Sequence, residues 1–343
     1  MRVILVASNY YPYIGGVEYV VKCMAERLAQ RGNNVVVLCG DSEIASPREE
    51  WINNVHVFRW PIWSPKDAYH IPRSRSELGK FLLDLIKEAD VIHVHSVHSV
   101  FSVYAGLLAA KSISNARFVV TPHYHGSGHT VLRKLAWILW RKNVLRLLRS
   151  VSVIHAVSNR EKSLIVTHYP EVREKVVVIP NGVEEDVTSY KWQGDRSNYI
   201  VYAGRVEKYK RLELAMEIAR EMNLKLLIIG EGPYRKKLEK YAEKQYRDTV
   251  EFLEPQPRDK YLELLSKARY AVNPSRHEAY GIFIAEALAI GVPSIVSREI
   301  AENLNAEIQP FNKQLVVASK APIETWANII QLYLEKLYGG IES

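Results

Sequence analysis

The chain has 343 residues, a formal charge of +8, 48% apolar and 24% charged residues. It is longer than the ~250–300 residues at which single cores stop growing, and its composition is not that of a disordered chain, so two folded domains are expected. No apolar run nears the ~20 residues of a membrane span, segment 1–7 is too short for a signal h-region, and Cys23 and Cys39 form neither a disulfide framework nor a zinc motif, which together read as a cytoplasmic protein.

In chain order, β-branched runs alternate with helical patterns, as in βαβ units around a parallel sheet. Residues 3–7 read as the first strand. Gly15-Gly16 then opens a helix over 17–31, with Val20, Val21, Met24 and Leu28 at 3–4 spacing. Strands follow at 35–39, 91–94, 118–121, 151–155 and 176–179, with helices between them. Residues 184–198 are polar and unpatterned and read as a linker. The rhythm restarts at 199–203, 225–229, 250–253, 270–272 and 294–296. The expected architecture is α/β, with two Rossmann-like halves, 1–185 and 186–343, and a ligand cleft between them. A last helix over 323–337, with Trp326, Ile329, Ile330, Tyr333 and Leu337 on one face, suits either half and is assigned the option of packing back on the first.

Three segments carry chemistry. Gly15 and Gly16 at a strand-to-helix turn let backbone approach a ligand, and a helix N-terminus supplies N–H groups for phosphate; a plain tight turn accounts for them equally well. After the strand at 199–203 come Gly204, Arg205 and Lys210, two cations suited to a diphosphate or, alternatively, to a solvated basic loop. After the strand at 270–272 come Glu278 and a helix starting near Gly281. Within that helix Glu286 stands between alanines, an expensive place for a carboxylate without partners.

Taken with Asp90-Val91-Ile92-His93-Val94-His95, Thr121-Pro122-His123, Pro180-Asn181-Gly182-Val183 and Gly230-Glu231-Gly232-Pro233, this ordered set resembles the retaining family-4 glycosyltransferases of GT-B fold, over roughly residues 1–297. The resemblance implies transfer of a hexose from a UDP- or GDP-linked donor to a hydroxyl acceptor with retention. It gives Arg205 and Lys210 the donor diphosphate, Glu286 the ribose, and Glu278 the transferred sugar, aided by backbone N–H groups of Ala279, Tyr280, Gly281 and Ile282. Gly15 and Gly16 would lie by the phosphate and sugar, His123 near the anomeric centre, and Asn181 and Glu231 on the cleft wall. The nucleotide sugar is a substrate, so no cofactor is implied. No Asp-x-Asp occurs, so a metal grip on the diphosphate has no obvious ligands. Two places depart from the family pattern: Glu254-Pro255 replaces a glycine in the loop expected near the base, and 298–303 replaces a Gly-rich loop.

Six of the eleven histidines fall between His93 and His129, but no acidic or Cys partner accompanies them, so a metal site is not expected there. Charge is uneven: residues 1–185 carry a net +7 and 186–343 a net +1, and nine basic residues without a single acid lie between Val91 and Arg160. The helix over 131–149 combines Arg133, Lys134, Arg141, Lys142, Arg146 and Arg149 with Trp137 and Trp140. That composition suits either an anionic membrane surface, fitting a lipid-linked or glycan acceptor on the inner face of the cell membrane, or a solvated basic face. Nucleic acid is not expected, for want of any recognised motif. A catalytically silent GT-B scaffold that binds nucleotide or another anion is the remaining alternative.

Overall fold

The computed structural model describes residues 1–339 apart from 14, 66, 67, 113, 114, 127–130 and 277, with 131–136 described by backbone alone. The chain divides into two compact units, Met1–Asn181 with the segment from Trp326 onward, and Gly182–Thr325.

In the first unit the strands are β1 Arg2–Ala7, β2 Asn34–Asp41, β3 Arg48–Ile52, β4 Val55–Trp63, β5 Ile71–Pro72, β6 Val91–His95, β7 Arg117–Thr121, β8 Val153–Ala156 and β9 Val176–Val178. The helices are α1 Gly16–Gln30, α2 Arg75–Leu85, α3 Val100–Ala109, α4 Val131–Ser150 and α5 Asn159–His168. The described strands form one sheet in the order β3-β4-β2-β1-β6-β7-β8-β9, with β5 on β4. All pairings are parallel except those of β3 and β5 with β4. Ile4, Val6, Ile92, Val94, Val120 and Ile154 form its core; β1 is a continuous buried apolar run after Arg2, whereas β6, buried throughout, carries His93 and His95 among its apolar residues.

The second unit holds β10 Tyr199–Ala203, β11 Lys225–Ile229, β12 Val250–Leu253, β13 Tyr270–Asn273, β14 Ser294–Ser297, β15 Glu307–Pro310 and β16 Leu315–Lys320. Its helices are α6 Leu212–Glu221, α7 Arg235–Gln245, α8 Arg258–Ser266, α9 Ile282–Ile290 and α10 Arg298–Asn303. The sheet order is β12-β11-β10-β13-β14-β16-β15, parallel as far as β14 and antiparallel beyond it. The core gathers Ile200, Tyr202, Met216, Ile228, Leu238 and Val272.

Three details differ from the sequence expectations. The segment 184–198 is not a bare linker: Trp192 donates from its backbone to Ile290 (3.1 Å) and from its indole to Ala268 (2.9 Å). A Cβ on Gly194 would stand 2.0 Å from the Ala268 carbonyl oxygen. Next, the hairpin β3–β4 went unread, although Asn53 and Asn54 (φ 49° and 65°) form the left-handed pair that a two-residue hairpin turn needs. Last, the terminal helix begins at Trp326 as α11 (Trp326–Leu332) and widens into a π-helical turn over Tyr333–Leu337. Residues 323–325 are not helical; there Val183 donates to Glu324 (2.9 Å) within the second unit. In the first unit, Trp326, Ile329, Ile330, Tyr333 and Leu337 are fully buried, and Arg31 donates to Ala327 (2.9 Å).

Candidate functional site

In open parallel sheets a ligand crevice forms where strand order reverses, outside the carboxyl ends. In the second unit that point is β10, flanked by β11 and β13. Gly204 leaves β10 with φ 138°, and Gly230 leaves β11 with φ 133°. A Cβ on Gly230 would stand 2.3 Å from the Gly204 oxygen, so the two loops lie backbone on backbone and accept only glycine there.

The chain then makes a short turn over Lys208–Lys210, and the Lys210 ammonium meets the Glu278 carboxylate from the loop after β13. Both side chains are nearly buried, 13% and 15% exposed. Burial opposes the Lys210 charge, but Glu278 outweighs it and holds the pKa above the usual lysine range. Asn273 donates to Glu278 Oε1 (3.4 Å), and Asn303 of α10 donates to the Glu278 carbonyl (2.8 Å). The helix found in place of the Gly-rich loop therefore braces the Glu278 loop. Gly281, at φ 101°, turns the chain into α9. Tyr280 is buried beside it, while Ala279 and Ile282 are half-buried. Arg205 is a third exposed and pairs with Glu207 at 3.1 Å.

Glu286 has the partners its place in an apolar helix demands. It is 4% exposed, accepts from Arg258 Nη1 (2.6 Å) and from the Tyr261 hydroxyl (2.7 Å), and so stands among charge-assisted bonds. Burial pushes its carboxyl up, against the opposing pull of Arg258 and Tyr261. Arg258 also forks onto both oxygens of Asp186, each at 2.9 Å. Burial works against this guanidinium too, yet Asp186 and Glu286 keep its pKa above the usual value. Arg258, Tyr261 and Asp186 were not singled out from sequence; the lone carboxylate in α9 was the signal that a cation had to exist.

Glu231 joins a third cluster. Arg235 Nη1 reaches Glu231 (2.6 Å), the Gly230 carbonyl (2.8 Å) and the Leu253 carbonyl (3.1 Å). Its Nη2 takes Glu254 at 2.9 Å, so the residue that replaces the glycine is tied to the same arginine.

In the first unit the strand order reverses at β1. Gly15 and Gly16 open α1 there, and a Cβ on Gly16 would meet nothing within 4 Å, whereas one on Gly15 would strike the Glu18 carboxylate. His123, at φ 49°, follows β7 and is buried; so is Asn181, whose Oδ1 has no hydrogen-bond partner among the described residues. Glu161 of α5 accepts from the backbone N–H of Tyr124 (2.5 Å) and of Val157 (2.7 Å), which clamps the loop carrying His123. Burial raises Glu161 to about 7 against those two bonds.

His93, His95, His123 and His155 are buried together: the His93 and His95 rings lie 4.2 Å apart and those of His95 and His123 5.6 Å apart. Burial, with neighbouring imidazoles, drives His93 and His95 well below the usual histidine value and His123 to about 3. Burial lowers His155 to about 4. His98 stacks on His125 and Trp137, while His129 lies outside the described residues. Among the described residues, no group of three or more His, Cys, Asp or Glu is placed to hold a metal ion, and no helix is long and apolar enough to cross a membrane.

On α4, Ile138 (61% exposed), Leu139 (74%), Lys142, Arg146 and Arg149 face outward, and 138, 142, 146 and 149 follow one helical stripe. Arg133 and Lys134 lie outside the described side chains.

The profile of Glycosyltransferase Family 4 matches residues 14–187, and that of Glycosyl transferases group 1 matches residues 187–337. The chain is 26% identical to a GDP-mannose:cellobiosyl-diphosphopolyprenol alpha-mannosyltransferase of Xanthomonas oryzae, over 96% of this chain and 87% of that protein. It is 28% identical to O-antigen chain mannosyltransferase C of Escherichia coli, over 96% and 89%. Among solved structures, a sucrose-phosphate synthase from Thermosynechococcus elongatus superposes with a TM-score of 0.68 at 18% identity, over 98% of this chain and 90% of that one. Anabaena HepE in complex with UDP gives 0.66 at 16% identity, with the same coverage.

Proposed function

The chain belongs to Glycosyltransferase Family 4, and from that premise we propose that it moves a hexose from a UDP- or GDP-linked donor to a hydroxyl acceptor, with retention and without a metal. Its two parallel-sheet units are the GT-B fold.

The observation that carries this reading is the Lys210–Glu278 pair at the carboxyl edge of β10 and β13. Charge grows on the diphosphate as its bond to the anomeric carbon breaks, and preorganised cations lower that barrier most. Lys210, with Arg205 beside it in sequence, supplies that charge. Glu278, released in part from Lys210 by the arriving diphosphate, accepts hydroxyls of the transferred sugar, with the backbone of Ala279, Tyr280, Gly281 and Ile282 adding donors. Glu286 accepts from the ribose while Arg258 and Tyr261 hold it in place. We assign Gly15 and Gly16 to the phosphate and sugar, His123 to the reacting carbon, and Asn181 and Glu231 to further donor contacts. The acceptor is a glycan or a lipid-linked sugar, supported by the diphosphopolyprenol named for one relative. The outward stripe on α4 then meets an anionic membrane surface from the cytoplasmic side.

Thermal unfolding with a panel of UDP-, GDP- and ADP-sugars, with and without EDTA, tests the donor and the metal together. A ligand at about 100 times its Kd adds about 2.7 kcal/mol, enough to identify one donor. Stabilisation by a UDP- or GDP-sugar that persists in EDTA is expected; stabilisation lost in EDTA removes metal independence. No stabilisation by any nucleotide sugar overturns the reading, and binding without transfer marks a silent scaffold.

A further inference from the structure

The buried histidines of the first unit bear a definite proton pattern, set by one backbone oxygen. The Ile179 carbonyl can only accept, so His155 Nε2, 2.8 Å away, carries that ring's proton and its Nδ1 is bare. Thr121, 2.8 Å from Nδ1, must give its single hydroxyl proton there. Its oxygen is then free to accept from His93 Nε2 at 2.6 Å. His93 Nδ1 is left bare and takes the phenolic proton of Tyr338 at 2.9 Å. The Met24 sulfur, 3.6 Å from the same phenol, is left as a contact only. The bonding of both rings requires neutral imidazoles, which full burial enforces.

His95 lies stacked on His93, with Nδ1 3.3 Å from His123 Nε2. Its Nε2 is buried and has no partner among the described residues. A neutral imidazole carries one N–H. On Nε2 that proton would be an orphaned buried donor; on Nδ1 it is used. His95 therefore donates to His123 Nε2, and the His123 proton must reside on Nδ1.

We propose that His123 is a fixed hydrogen-bond donor, neutral and protonated on Nδ1, and that His95 is the positioning residue that sets this tautomer. Building on the glycosyl-transfer reading above, His123 offers its Nδ1–H to an oxygen of the bound substrate and does not take the proton of the incoming hydroxyl. The chain from Ile179 to Tyr338 keeps His93, the ring stacked on His95, in a single neutral form.

The test is a two-bond ¹H–¹⁵N correlation on the ¹⁵N-histidine-labelled full chain at neutral pH, with His123 assigned by its loss in H123N. The expected pattern is a protonated Nδ1 and an unprotonated Nε2; the reverse pattern, or an imidazolium, overturns the proposal. Two variants test the positioning role. H95L removes the donor, and a kcat about 10-fold lower with an unchanged donor KM is expected; H95N, whose amide can replace Nδ1–H, should recover most of the loss. Full activity in H95L overturns that role. Because the spectrum needs no turnover, a chain inactive with every nucleotide sugar would sink the glycosyl-transfer reading while the tautomer still stood or fell by itself. If H95L fails to fold, the spectrum of the unmodified chain remains decisive.

Discussion

In the second unit Lys210, Glu278, Arg258, Glu286 and Asp186 meet as ion pairs, whereas in the first unit His93, His95, His123, His155, Thr121 and Tyr338 share neutral hydrogen bonds. The two solutions suit different tasks. A charge with a nearby counter-charge can exchange partners when an anion or a row of hydroxyls arrives, because the electrostatic cost of burial has been met beforehand. Neutral rings cannot trade charge, but each bond fixes the direction of the next, so the network holds a geometry and a tautomer. The ionic cluster is built to be re-partnered, and the imidazole cluster to stay as it is.

The sharpest way to break this contrast is K210A. It leaves Glu278 nearly buried without its cation and, on the proposed reading, removes the cation assigned to the diphosphate. A loss of kcat/KM on the order of 10³ is expected, from the size of such preorganised contributions. Unfolding of K210A, E278Q and the double variant would show whether the pair is coupled; a double variant more stable than K210A is expected. Next in size is R258M. Glu286 would keep only Tyr261 among these partners, and burial would push its carboxyl higher still. Donor KM should rise about 10- to 100-fold with kcat less affected, as for a group that binds ground and transition states alike. An unchanged KM would place the ribose elsewhere.

Much of the ionic cluster was legible in sequence and much of its support was not. Lys210 and Glu278 follow strands whose apolar runs are plain, so their placement at the carboxyl edge needed only the βαβ rhythm. Glu286 announced a missing partner by its setting among alanines, but Arg258 lies 28 residues earlier and Asp186 within a segment without period, and only the fold brings them together. The spacing of His93 and His95 showed a shared strand face; that Tyr338 caps the network could not be read, because a π-helical turn shifts the register of the final residues. The hairpin turn at Asn53-Asn54 was readable from its residue types, yet β3 is largely charged and β4 interrupts its apolar residues with His56 and Arg59.

Acid sharpens the comparison from the other side. A histidine whose folded pKa is depressed takes up its proton in the unfolded chain first, so its stability is complete above about 6.5 and is lost as pH falls toward the folded value. His155, lowered to about 4, alone accounts for roughly 3 kcal/mol across that window, and His93, His95 and His123 act in the same sense. Glu161, raised to about 7, acts oppositely, since its stability falls as pH rises from the ordinary carboxylate range to 7. The four imidazoles outnumber Glu161, so their sense prevails and stability falls with pH below about 6.5. Denaturant unfolding at pH 7, 6 and 5 should therefore show a steep loss in the transition that includes the buried Trp326. A flat profile would mean that the folded imidazoles take up protons as readily as those of the unfolded chain, and that the contrast between the units is false.

The smallest effect is the most specific. Y338F deletes one hydroxyl at the end of the chain of neutral bonds and leaves the ring in place, so packing around Met24 and His93 is kept. What remains is His93 Nδ1, a buried lone pair without its donor, at a cost of about 1–2 kcal/mol. With that bond gone the His93 proton is free to move to Nδ1, and Thr121 loses the donor that ordered its hydroxyl. The loss should appear as a fall in midpoint temperature of a few degrees and as a second set of His93 ring signals, while KM for the sugar nucleotide stays constant. Arg258 variants would give the opposite pair of results, an altered KM and an unaltered imidazole spectrum. Were Y338F to change donor KM as R258M does, the phenol would be acting through the nucleotide site, and the division into an exchangeable ionic cluster and a fixed neutral one would have to be given up.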